Sequence, residues 1–121
     1  MFEQFIKKIQ HRYLKVAVKT TKIPDFVETY PERKHFIFTG VVQGIGFRYQ
    51  AQVLAQCLFL TGWVRNLNNG QVEMEIQGAP EKIYFFLSRM QKTARIKISR
   101  IETNSKKVDW NEHKFSILDT R

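Results

Sequence analysis

Between Gly40 and Arg48 the chain reads Gly-Val-Val-Gln-Gly-Ile-Gly-Phe-Arg, and those residue types at that spacing suit the capture of a phosphate-sized anion. Gly44 and Gly46 can take positive φ, which lets successive backbone N–H groups converge on one anion. A helix opening at Phe47 would add unpaired donors and the positive end of its dipole. Arg48 supplies a planar, permanently charged fork that holds two phosphate oxygens at once. The candidate phosphate-binding set is therefore Gln43, Gly44, Ile45, Gly46, Phe47 and Arg48. Taken alone, two glycines in so short a run also fit an ordinary strand-to-helix turn.

A second stretch narrows the choice. Residues Gly62 to Glu73, Gly-Trp-Val-Arg-Asn-Leu-Asn-Asn-Gly-Gln-Val-Glu, read as a strand, a turn at Asn68-Asn69-Gly70 and a returning strand of alternating apolar and polar residues. They put a neutral amide, Asn66, near a strand end that can lie beside the glycine loop. Asn66 by itself also reads as a cap of the hairpin turn. Arg48 has no carboxylate close in sequence to pair with, which disfavours a purely structural ion pair. Trp63, Phe47 and Val64 read as core, and Arg65 as a solvent-facing strand residue.

With the two motifs in this order and a helix between them, the chain resembles the acylphosphatases. The resemblance rests on Gly40 to Arg48, Ala55 to Asn66 and Asn68 to Gly78, and more loosely on Phe115-Ser116-Ile117, so it spans about residues 34–118. It implies hydrolysis of the carboxyl–phosphate bond of acyl phosphates to carboxylate and inorganic phosphate. Matched position by position, Arg48 takes the role of the arginine that binds the phosphate and Asn66 that of the asparagine that orients the attacking water. No cofactor and no metal is implied. The chemistry asks for little more, because a carboxylate of pKa ~4 leaves without a general acid. Charge neutralisation and a positioned water remain to be supplied. The chain departs from the family pattern at Leu58-Phe59-Leu60, where relatives commonly carry Leu-Gly-Leu. Phe59 must then adopt a left-handed conformation at a cost of ~1 kcal/mol, or the helix must end differently. Val41 stands where a polar residue is frequent, and Lys92 to Arg95 replaces a loop usually richer in glycine and proline. None of these departures touches Arg48 or Asn66.

The elements that must position these residues follow from periodicity. Phe2, Phe5, Ile6, Ile9 and Tyr13 recur at helical spacing and predict an amphipathic N-terminal helix, followed by a link broken at Pro24 and Pro31. His35 to Val42 is the first expected core strand and Phe47 to Leu60 the first core helix. Thr61 to Asn66 and Gln71 to Gln77 form the hairpin, and Pro80 opens a second helix striped by Ile83, Phe86, Leu87 and Met90. Ile96 to Glu102 and Lys114 to Leu118 are the last strands. The order β-α-β-β-α-β predicts an α+β, ferredoxin-like sandwich, an antiparallel sheet with two helices on one face. The family resemblance implies the same fold.

At 121 residues and 43% hydrophobic content, one domain over 34–121 and an extension over 1–33 are expected. No apolar run reaches the ~18 to 20 residues that cross a bilayer. A single cysteine, Cys57, excludes an internal disulfide and reads as a small buried hydrophobe in a cytoplasmic protein. His11, His35 and His113 share no ligand-like spacing, so no metal is expected. A net charge of +9 raises nucleic acid and anionic membranes as partners. The steepest run sets Arg89, Lys92, Arg95, Lys97, Arg100, Lys106 and Lys107 against Glu102 alone, and reads as a solvated basic face that also steers anionic substrates. A small-molecule acyl phosphate is the expected partner, and nucleic acid is disfavoured. The helix over residues 2–15 is expected to pack on the domain or self-associate, with a membrane surface as the less favoured alternative. The rival function is a non-catalytic module binding RNA or another anionic partner, since RNA-recognition motifs share the element order and read bases with sheet aromatics, a place that Phe36 and Phe38 offer here. Those two are more simply core, and retention of both Arg48 and Asn66 favours an enzyme.

Overall fold

Alternation along the strands decides which way the sheet faces. In the computed structural model, which describes residues 23–26, 29–93 and 95–121, β1 (Glu32–Val41), β2 (Thr61–Asn66) and β3 (Val72–Gly78) point Phe36, Phe38, Val64, Val72, Met74 and Ile76 to one side, all buried. Two helices, α1 (Phe47–Cys57) and α2 (Pro80–Gln91), turn Ala51, Leu54, Ala55, Ile83, Phe86 and Met90 into the same core. Two further strands complete the sheet, β4 (Lys97–Lys106) and β5 (Phe115–Ile117), in the order β4-β1-β3-β2-β5. Neighbouring strands are antiparallel except β2 and β5, which run parallel. This is the α+β arrangement expected, with two helices over one five-stranded sheet among the described residues, except that the sheet expected to be antiparallel takes β5 in parallel at its edge. The expected N-terminal amphipathic helix lies outside the described residues. At the start of the described chain, Ile23 and Phe26 pack against the core, and the Phe26 ring meets Phe85 edge-on at 5.7 Å.

Burial of Phe36 and Phe38, 4% and 0% exposed, removes them as base-stacking aromatics. The opposite face of the sheet is polar. Arg33 donates from Nε to Glu75 Oε1 (2.6 Å) and from Nη1 and Nη2 to the two oxygens of Glu112 (2.8 and 3.1 Å). Gln77 there accepts from the backbone N–H of Asp109 and donates to its carbonyl, so residues 109–112 are strapped across the sheet. Trp63, expected in the core, belongs to this outer face. Its neighbours Gly62 and Val64 take the inward positions, and Trp63 instead lies beneath the Arg65 guanidinium, 4.6 Å from the ring centre. Arg65 is correspondingly half-buried, its Nε 3.3 Å from Glu73.

Several strand ends differ from expectation for one reason. Antiparallel pairing of Arg33 with Lys106 and of Glu32 with Gly78 extends β1 and β4 beyond their apolar cores. Helix α1 ends at Cys57 because Phe59, at φ 57°, turns left-handed. Its N–H donates to the Gln56 carbonyl and that of Leu60 to Ala55, the paired bonds of a Schellman stop. Among the described residues no helix is long and apolar enough to cross a membrane.

Candidate active site

The loop after β1 is shaped by backbone that only glycine adopts without strain. Gly44 and Gly46 sit at φ 75° and 86°. A side chain at Gly44 would meet nothing within 4 Å, so conformation rather than space demands glycine there. Gly46 is also the N-cap of α1, with no side-chain cap and no acidic residue in the first turn. The helix thus opens toward the loop with its own N–H groups and positive dipole end. Just before the loop, β1 shifts register against β4 between Thr39 and Gly40, an irregularity that re-aims a strand end.

Arg48 lies in that first turn, half-buried, and among the described residues it has no ion pair or side-chain hydrogen bond. Asn66 closes β2. Its backbone carbonyl accepts from the Arg121 N–H at 3.0 Å, while its side-chain oxygen is buried with no hydrogen-bond partner. Both Asn66 and Phe38 pair with Val72, so the end of β2 lies level with Phe38 across β3, three residues before β1 ends at Val41. Between them is a concavity of about 200 Å³ lined by Val42, Gly44, Gly46, Phe47, Arg48, Tyr49 and Asn66. Two stretches separated in sequence by a whole helix therefore share one small pocket containing a glycine loop, a helix start, a cation and a neutral amide.

Of the expected phosphate-binding residues, Gly44, Gly46, Phe47 and Arg48 line this pocket. Ile45 turns its side chain against the core. Gln43 gives its side-chain amide to the β2–β3 turn, donating to the carbonyls of Leu67 (2.7 Å) and Gln71 (2.8 Å). Tyr49, 53% exposed at the rim, and Val42 were not among the expected residues. The only available signal was adjacency, Tyr49 to Arg48 in the first helical turn and Val42 to the loop. Size does not select the site. A larger concavity of about 370 Å³ beside Trp63 and His113 has neither a glycine loop nor a helix start. Elsewhere, burial pushes the Cys57 thiol up to about 11, and the hydrogen bonds that Arg33 donates to Glu112 raise the Arg33 guanidinium further; neither group lines the pocket.

The family model described as Acylphosphatase matches residues 34–117. Similar curated proteins include an acylphosphatase of Clostridium beijerinckii, 46% identical over 82 residues, covering 67% of this chain and 91% of that one. An acylphosphatase of Geobacillus thermodenitrificans is 41% identical over 88 residues, covering 72% and 94%. Among solved structures, the acylphosphatase from Bacillus subtilis superposes with a TM-score of 0.67 at 31% identity, covering 72% of this chain and 98% of that one.

Proposed function

The chain belongs to the acylphosphatase family, an enzyme that hydrolyses acyl phosphates, and we propose that Arg48, Asn66 and the Gly44–Arg48 backbone are the groups that do it. The observation that carries this reading is the pairing, in one pocket, of an arginine without an ion pair among the described residues and an amide oxygen buried without a partner. Backbone N–H groups at the helix start and the Arg48 fork surround the phosphoryl oxygens and offset their charge. Asn66 Oδ1 accepts a hydrogen bond from the attacking water and aims its lone pair at phosphorus. The P–O bond to the acyl group breaks as the new one forms, and the pair leaves with the carboxylate, which needs no proton at neutral pH. A carboxamide is not a base at neutral pH, so the proton of the water passes to the phosphate.

Hydrolysis of benzoyl phosphate in water enriched in oxygen-18 tests this course. The label should appear in inorganic phosphate and not in benzoate. Label in the carboxylate would mean attack at the acyl carbon and overturn the assignment. A pH profile governed by an enzyme base titrating near neutrality would overturn the route of the proton.

The remaining features are assigned on the same footing. Residues 1–33 are assigned as an extension whose last two residues enter β1, and the packing of Ile23 and Phe26 against the core supports docking of its described end on the domain. A cytoplasmic place of action fits a chain whose single cysteine allows no internal disulfide.

A further inference from the structure

We propose that Gln43 is a positioning residue that holds Asn66 at a set distance from the phosphate loop, a role that rests on the acyl phosphate reading above. Strands β1 and β2 carry the two halves of the pocket, yet they are not neighbours, since β3 lies between them. The paired region of β3 begins at Val72, level with Phe38 and Asn66. Beyond that row the ladder that ties β1 to β2 has run out, and the phosphate loop and the turn after Asn66 project past it.

Gln43 spans this gap. It precedes Gly44 in the loop, and the two hydrogens of its Nε2 go one each to the carbonyls of Leu67 and Gln71. Two carbonyl acceptors fix which end of the amide faces them, because the oxygen of Gln43 would repel both. The same two carbonyls close the turn from within, Leu67 accepting from Gly70 N–H at 3.1 Å and Gln71 accepting from Leu67 N–H at 2.8 Å. Gln43 therefore grips the turn at its closing bonds, one residue beyond Asn66. The Asn66 side-chain oxygen has no hydrogen bond to orient it, so its place is inherited from the backbone. That backbone is held from one side by Arg121 and from the loop side by Gln43.

The side chain of Gln43 thus acts through Asn66 rather than on the phosphate. A displacement of about 1 Å in such a group costs on the order of 10²-fold in rate. The test is a double-mutant cycle on benzoyl phosphate turnover with Gln43→Met, which keeps the length and removes the donors. Gln43→Met should lower kcat about 10²-fold while inhibition by inorganic phosphate, which reads the cradle itself, stays as in wild type. In an Asn66→Ala background the same change should cost nothing further. Should Gln43→Met not fold, Gln43→Asn, which keeps the donor group but falls one methylene short, carries the same cycle. Losses that multiply in the double variant, or weakened phosphate inhibition with kcat intact, would overturn the inference while leaving the hydrolase reading standing. A wild type that is folded and inert would overturn both.

Discussion

A buried amide oxygen without a partner costs ~1–3 kcal/mol, and Asn66 carries one at the end of a strand where an apolar residue would pack freely. Replacing it with leucine is expected to hold or raise stability, by up to about 1 kcal/mol, while abolishing turnover. Urea unfolding and an activity assay on the same sample check both halves, and a clear loss of stability would mean that Asn66 serves the fold. Cys57 makes the opposite case, a group the reaction does not use. Its thiol is raised from 9.0 to about 11 by burial, so between those values the unfolded chain has lost a proton that the folded chain keeps. Its contribution is complete below pH 9 and disappears as pH rises toward 11. Wild type should therefore lose stability over that window more steeply than Cys57→Ala. Residue types were the most legible part of the candidate site, because Gly44, Gly46, Arg48 and Asn66, each open to a plainer reading alone, point one way when taken together. The amide of Gln43 was not, since its partners lie 24 and 28 residues away and local spacing carries no trace of them. Trp63 misled for a related reason: large and apolar, it still follows the strand alternation and faces outward.

At the scale of elements, both helices and all five strands among the described residues were legible as periodicity, and their ends were not. The ends of β1 and β4 are set by pairing between residues as far apart as Arg33 and Lys106, which no local pattern contains. The end of α1 was legible as a problem, a phenylalanine where the turn wants glycine. The chain resolves it by holding Phe59 at φ 57°, 72% exposed, with Lys82 over its ring at 5.9 Å. Phe59→Gly should raise stability by about 1 kcal/mol by removing the left-handed penalty. Thermal unfolding measures it, and a lower Tm would show that the exposed ring contributes more than the strain costs.

For the molecule as a whole, the candidate site and the Arg33 ion-pair cluster lie at opposite ends of β1. The pocket follows its C-terminal end, whereas Arg33 near the other end binds Glu75 and Glu112 and straps residues 109–112 across the outer face. The two are separated by most of a ten-residue strand, roughly 30 Å at ~3.3 Å per residue. Arg33→Ala leaves two partly buried carboxylates unpaired and should cost about 3 kcal/mol of stability with kcat unchanged below the unfolding transition. A matching fall in kcat would show that the strap also shapes the pocket. The order of elements was enough to bring the loop and the hairpin to one end of the sheet. The parallel seat of β5 beside β2 and the backbone pairing of Asn66 with Arg121 required the folded chain.

In the function proposed, Arg48 and Asn66 act together on one acyl phosphate. The most direct test of this is benzoyl phosphate hydrolysis by wild type, Arg48→Ala and Asn66→Ala without added metal, with the fold of each verified by circular dichroism. Wild type should turn over, and each folded variant should lose on the order of 10²–10³-fold or more in kcat. A folded wild type without turnover, or either variant working at the wild-type rate, would rule out that joint action.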